Sequence, residues 1–361
     1  MKYVQIVTQM EGGGAQRVAI VLSKEFTKRK HENEVWFLYK KRPAYSAEPG
    51  VRVLLDHPPT NIMHYLLILW RLFILLSKKR PQVLITHTHY SNVMCHPIAF
   101  ILAIKKRIAV HHSPIHTYPR LAQLIDKVVG SFGIYSKSVV VSNTVRDSMD
   151  NYPKSYLKRI KRIYNGVSLK TTKNDIGDVR KKFGIPYDAP ILVTVGRLAK
   201  VKNQEMLIKI TARIPNAHLL LIGDGEERQH LKELVISQKC ENRVHFIGEV
   251  NPEFVPSYLS LSDIFILPSL SEAMPMALIE AMNEGLPIVA SDIPANREVL
   301  GTQDDKQVGF LADLQSVESF IDAIENIISD KKLAEDMGTI AKLRVQKFSI
   351  EGMTDGYEQF N

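Results

Sequence analysis

At 361 residues, with 45% hydrophobic and 24% charged side chains, the chain is long enough for two ordinary domains and has the composition of a folded soluble protein. Cys95 and Cys240 are its only cysteines and show no CxxC or Cys/His metal spacing, which excludes a disulfide framework and structural zinc and points to a reducing compartment. Charge is uneven: residues 1 to 170 hold 27 Lys+Arg against 9 Asp+Glu, a formal +18, and the remainder holds 20 against 29, a formal −9, so the first half suits a polyanionic partner such as nucleic acid or an anionic membrane surface.

The start, MKYVQIVTQM, lacks the long apolar run of a signal peptide and reads as a first strand. It leads into MEGGGAQRVAIVLSKEF, a glycine-rich turn and an amphipathic helix, where Gly12, Gly13 and Gly14 leave free N–H groups at a helix start. EVWFLY (34 to 39) is the next strand. The segment from His64 to Gln82 is the most apolar, yet Arg71 interrupts it and its apolar runs fall short of the ~20 residues that span a bilayer. It fits either a core helix or an interfacial helix, with Trp70 and Arg71 at headgroup level and Lys78, Lys79 and Arg80 at its polar end. VLITHTH (83 to 89) runs from a strand into a polar turn, and RIAVHHSPIHTYPRL carries a strand into His111 and His112. SVVVSNTVRDSM repeats strand then helix, and KRIYNGVS precedes a lysine-rich polar span from 170 to 182.

The alternation then restarts. ILVTV (191 to 195) is a buried strand followed by Gly196, Arg197 and Lys202. AHLLLIGDGEERQHLKEL gives strand, glycine turn and helix, and VHFIGEV (244 to 250) is a short strand ending near Val250. DIFILP (263 to 268) and IVAS (288 to 291) flank a helix that begins with Pro275 in its first turn and ends at Gly285, with Ala277, Leu278, Ala281 and Met282 facing inward. Glu272 is thereby placed in a loop at the carboxyl end of a strand, and Glu280 in the second turn of a helix whose N-terminus attracts anions. The segment from 316 to 338 is amphipathic helix.

The stretch S-E-A-M-P-M-A-L-I-E-A-M, with Glu272 and Glu280 separated by seven residues, resembles the donor-site motif of retaining GT-B glycosyltransferases of family 4. Other segments are similar to the same family: the glycine loop with Gly13 and Gly14, Asn165-Gly166-Val167, the G-R-L-x-x-x-K segment, G-D-G, NREVL with Glu298, Gly309-Phe310 and the closing MTDGYEQF. The chain departs from the pattern at Ala273, Asn203 and Gln16, where the family usually has glycine, glycine and glutamate.

The resemblance implies an α/β GT-B architecture of two Rossmann-like, doubly wound parallel-sheet domains facing across a cleft: residues 1–168, residues 169–340, and a last helix, 341–361, crossing back to the first domain. It implies a retaining hexosyltransferase without metal or cofactor, the UDP-sugar being donor substrate; no D-x-D stands in the sequence. Arg197 and Lys202 would neutralise the donor diphosphate, Glu272 bind the sugar, Glu280 the ribose, and His112, or alternatively His111, face the sugar. Gly13, Gly14, Gly196, Val250, Ala273, Met274, Pro275, Met276 and Ala277 complete the expected donor site. The basic half and the Trp70 segment point to a membrane-borne glycan acceptor, a peripheral location at the cytoplasmic face of the cell membrane, and an anionic lipid surface as partner. Nucleic acid is the rival partner, but its cations lack interleaved stacking aromatics. A sugar-nucleotide epimerase would share the architecture without needing the full G-R-L-x-x-x-K and two-glutamate set.

Overall fold

The computed structural model describes residues 1–170, 174–301 and 308–360, so positions 171–173 of the lysine-rich span lie outside the described residues. The chain divides into two compact units, Met1–Gly166 joined by the segment from Phe348 onward, and Val167–Lys347.

The first unit is built on strands β1 (Lys2–Met10), β2 (Glu32–Lys40), β3 (Val51–Val53), β4 (Val83–His87), β5 (Lys106–His111), β6 (Lys137–Val140) and β7 (Ile160–Arg162). They form one parallel sheet in the order β3-β2-β1-β4-β5-β6-β7, with Tyr3 beside Val83 and Val7 beside His87. Helices α1 (Gly14–Lys28), α2 (Ile62–Lys79), α3 (His89–Ile101) and α4 (Arg120–Ser131) connect successive strands. The connection through α1 runs toward one edge of the sheet and those through α3 and α4 toward the other, so right-handed crossovers place them on opposite faces. α2 packs beside α3 and α3 beside α4. On the other face the last helix, Ile350–Glu358, lies against α1. Arg29 at the end of α1 binds Asp355 (2.6 Å) and Glu358 (2.7 Å), and Tyr357 is fully buried.

α2 has two apolar faces. Ile68, Leu72 and Leu76 pack into the core, while Ile62, Met63, Leu66, Trp70 and Phe73 are exposed. Thus the core reading describes one side of this helix, and the other side leaves its apolar residues, Trp70 among them, exposed. Among the described residues no helix is long and apolar enough to cross a membrane.

The second unit holds β8 (Ile191–Val195), β9 (His218–Ile222), β10 (Val244–Gly248), β11 (Ile264–Leu267), β12 (Ile288–Ser291) and β13 (Gly309–Ala312), parallel in the order β10-β9-β8-β11-β12-β13. ILVTV, HLLLI, IFIL and IVAS are mostly apolar because both faces of these strands are covered, the polar Thr194, His218 and Ser291 standing at or next to strand ends. Leu192, Leu219, Leu221, Ile266 and Val289 pack in one core with Phe320 and Ile324 of the helix Val317–Ser329, each such side chain contributing about 1.5–3 kcal/mol of burial. Both sheets reverse their strand order once, between β1 and β4 and between β8 and β11. In doubly wound sheets ligands bind outside the carboxyl ends of the strands at such a reversal.

Candidate donor and acceptor loops

In the second unit the loops after β8 and β11 are tied together at that reversal. After β8 come Gly196 and Arg197, a 3-10 turn Lys200–Lys202, and the helix Gln204–Arg213. Asn203 takes a left-handed conformation, φ 53°, which asparagine tolerates better than most residues, so it can stand where the family uses glycine. Its side chain donates to the Pro268 carbonyl at 3.2 Å, and the Leu270 N–H donates to the Val201 carbonyl at 2.8 Å. These bonds bring Lys202 Nζ within 2.6 Å of Glu272 Oε1, which also accepts from the Ser269 hydroxyl at 2.7 Å. Behind them Ser291 donates to the Ser269 carbonyl (2.6 Å) and Asn296 to the Ser291 carbonyl (2.8 Å), fixing the loop from below.

Arg197 stands on the same loop as Lys202, but its side chain is 63% exposed and reaches Glu226 at 3.9 Å. Pro275 occupies the N-cap of the helix Met276–Glu284, one residue ahead of the expected first turn, with Gly285 at φ 77° as its C-cap. Met276 and Ala277 open the helix, half-buried, so Ala277 faces inward less than expected, while Ile279 joins Leu278, Ala281 and Met282 in the core. Glu280 sits one turn further on, half-buried, and Ala273 and Met274 link Glu272 to the helix start. The N–H groups of that first turn have no side-chain cap.

The GDG turn after β9 earns its glycines by contact. A Cβ at Gly223, whose φ is 131°, would fall 2.0 Å from the Gly196 carbonyl oxygen, and one at Gly225 would fall 2.3 Å from that of Leu198. The end of β10 bonds to the same place, Gly223 N–H to Gly248 O at 2.8 Å, and half-buried Val250 follows two residues later. Thus the second unit carries Gly196 and Lys202 after β8, Glu272 and the helix start after β11 and Val250 after β10, with the GDG turn after β9 between β10 and β8.

In the first unit Gly13 is the N-cap of α1 and Gly14 its first residue. A Cβ at Gly14 would meet nothing within 4 Å, so the protein leaves open space there, while Gln16 folds back to donate to the Gln9 carbonyl at 3.2 Å. His111 and His112 part company because successive strand residues face opposite ways. His111 is fully buried with Nε2 3.0 Å from the Tyr156 hydroxyl. His112 is half-buried and its Nε2 lies 3.0 Å from Nδ1 of His87, whose own Nε2 lies 2.9 Å from Gln5 Oε1. Burial pushes His87 well below the ordinary imidazole value and His112 down to about 3, so both are neutral at pH 7. With Gln5 accepting from His87, His112 donates from Nε2 and keeps Nδ1 as an acceptor.

The sequence reading missed His87, Gln5 and Thr88. Thr88 has φ 91°, rare for a β-branched residue, and its hydroxyl is 2.6 Å from that of Thr8 across the β1–β4 reversal. The only available signal was the polar run THTH at a strand end. Among the described residues, one group could hold a metal ion: Glu205, Glu227 and His230, whose ligand atoms lie within 4.8 Å of one another.

The family described as Glycosyltransferase Family 4 matches residues 12–171, and that described as Glycosyl transferases group 1 matches residues 175–344. The lipopolysaccharide core biosynthesis glycosyltransferase LpsE of Rhizobium meliloti (strain 1021) is 31% identical over 184 residues, 50% of this chain and 52% of that protein. The UDP-Gal:alpha-D-GlcNAc-diphosphoundecaprenol alpha-1,3-galactosyltransferase of Escherichia coli is 33% identical over 185 residues, 48% of this chain and 46% of that protein. The matches thus span about half the length of these two relatives. The Anabaena protein Alr3699/HepE, solved in complex with UDP and glucose, superposes with a TM-score of 0.85 over 99% of both chains at 18% identity, a likeness of fold. With consecutive family matches from 12 to 344 and two Rossmann-like sheets, the chain belongs to the group 1 glycosyltransferases, glycosyltransferase family 4, and has the GT-B fold.

Proposed function

We propose that the protein transfers a hexose or N-acetylhexosamine, with retention, from a UDP-sugar to a membrane-borne glycan acceptor, without a metal ion. The observation that carries the reading is the Lys202–Glu272 pair held across two loops at the strand-order reversal of the second sheet. A donor exchanges this ion pair for two others: Lys202, with Arg197 from the same loop, meets the diphosphate, and Glu272 accepts from sugar hydroxyls. Glu280 and the free N–H groups of the helix start take the ribose and phosphate side.

The bond from the sugar C1 to the diphosphate oxygen breaks while the acceptor oxygen bonds to C1 on the same face. The departing phosphate oxygen takes the acceptor proton. Charge builds on the leaving group, where fixed cations in a water-poor site act most strongly. Neutral His112 accepts a hydrogen bond from a sugar hydroxyl through Nδ1 and does not supply a proton. Glu272 is a binder of hydroxyls, not a covalent nucleophile. The acceptor side of the reading is supported by the basic first half, by the exposed Trp70 face of α2, and by the Escherichia coli relative, whose name specifies a diphosphoundecaprenol-linked acceptor.

Incubation with single UDP-hexoses and a polyprenyl-diphosphate sugar tests it. UDP release that depends on the acceptor, with a product of unchanged anomeric configuration, is expected. An inverted product sinks the retaining assignment, and no release with any UDP- or GDP-sugar sinks the transfer.

A further inference from the structure

α4 turns its apolar face outward. Leu121, Leu124, Ile125, Val128 and, just past its end, Phe132 follow the helical repeat and are 69%, 59%, 38%, 46% and 79% exposed. The face that packs inward carries Ala122, Asp126, Val129 and Gly130. That orientation is locked. Asp126, 1% exposed, accepts from the hydroxyls of Tyr135 (2.9 Å), Tyr156 (3.1 Å) and Tyr152 (3.2 Å), and a Cβ at Gly130 would fall 1.9 Å from the Tyr156 ring. Rolling the helix to hide its leucines would strip the carboxylate of all three donors and drive a side chain into the ring. α3, packed alongside, adds Phe100 and Ile101, which are 53% and 74% exposed.

Beside the stripe lies a cavity of about 400 Å³ whose lining includes His116, Arg120, Lys127, Gln123, Asn151 and Leu124. Its lining holds two cationic side chains, an imidazole and two amides, and no carboxylate. The nearest buried acid, Asp126, is behind Tyr152, whose ring also carries Lys127 Nζ at 5.6 Å. Leu124 belongs to both features, so the cationic cavity opens where the apolar stripe begins. A ligand that spans them has an anionic head and a hydrocarbon tail.

We propose that α4 and this cavity seat the phosphate-bearing lipid of the acceptor, its phosphates on Arg120 and Lys127 and its hydrocarbon, still in the leaflet, along Leu121, Leu124, Val128 and Phe132. The proposal rests on the transferase reading above and specifies which surface takes the lipid. An apolar helix face rimmed by cations is the arrangement that binds an anionic leaflet by both contributions at once. The two phosphates of a diphosphate lipid also match paired cations better than the single phosphate of a bulk phospholipid.

The test is flotation of the full chain with vesicles of phosphatidylcholine, of phosphatidylcholine with phosphatidylglycerol, and of phosphatidylcholine with polyprenyl diphosphate at matched charge. Capture should be greatest on the polyprenyl diphosphate vesicles. Arg120→Ala with Lys127→Ala should abolish that preference, lowering capture there roughly 30-fold, from the worth of one cation near an anionic surface taken twice. Val128→Asp should lower capture on both anionic vesicles roughly tenfold, and the milder Val128→Ser should act in the same direction with an unchanged melting temperature. Equal capture by the two anionic vesicles, or capture indifferent to these substitutions, overturns the proposal. So does a concentration-dependent dimer that Val128→Asp disrupts while vesicles bind nothing. No sugar nucleotide enters this assay, so it fails separately from the transferase reading.

Discussion

Lys202 and Glu272 hold one another at 2.6 Å with the acid almost buried, so each substitution leaves a charge beside a partner it has lost. Lys202→Ala should weaken UDP-sugar binding about 10- to 100-fold, the worth of one or two charged hydrogen bonds, and Glu272→Gln should lower turnover by a similar factor. Calorimetric titration and initial rates check the two; variants that bind and turn over as the parent does would remove both residues from the site. His112 gives a pH prediction. Because burial holds it down to about 3, the rate should show no acid limb near pH 6.5 attributable to this group, and the His112→Asn variant should lose rate by the same factor at pH 5.5 and pH 8. At this scale the spacing of Glu272 and Glu280 and the order of Gly196, Arg197 and Lys202 were legible because they follow recognisable strand ends. The contact of Lys202 with Glu272 was not, since it joins residues seventy positions apart through Asn203 and Leu270. The His87–His112 pair was hidden for the same reason, needing β4 beside β5.

Helices and strands divide by whether their period reveals a direction. The four inner strands of the second unit, β8, β9, β11 and β12, were plain as mostly apolar runs, whereas Gly309-Phe310 read as a turn and instead opens the edge strand β13, and β3 and β7, three residues each, are too short to show any period. α4 shows a clear period, but the same spacing serves a core face or a surface face. Only Asp126 and Gly130 on the opposite side, read together with three distant tyrosines, say which way it points. The last helix illustrates the other limit. Its likeness to a crossing-back segment was visible, but its anchoring by Arg29 and by the fully buried Tyr357 depends on α1. Tyr357→Ala should cost the first unit about 3 kcal/mol or more, the usual penalty for deleting a buried ring, whereas Arg29→Ala should cost only ~1 kcal/mol because its ion pairs are partly exposed. Urea unfolding measures both, and an equal cost would mean that charge, not packing, holds the helix.

For the whole molecule, the +18 first half and −9 second half fit the division of labour proposed above, with lipid phosphate on one unit and sugar nucleotide on the other. Acid stability follows from its buried imidazoles. His96 and His112 are held down to about 3 and His245 to about 4 by burial, against an ordinary value of 6.5, so the unfolded chain binds protons that the folded chain refuses. Their contribution to stability is complete above pH 6.5 and is lost as pH falls toward 3 to 4. The melting temperature should therefore drop steadily on acidification below pH 6.5; a flat profile down to pH 4 would contradict this. The central claim, that the strand ends of the second unit grip an activated sugar by its diphosphate, is tested most directly by titrating UDP-sugars into the parent chain and into Arg197→Ala, Lys202→Ala and Glu280→Ala. The account predicts saturable binding of at least one UDP-sugar by the parent, weakened tenfold or more by Lys202→Ala and measurably by the other two; binding that is absent from the parent, or equal in all four proteins, would contradict it.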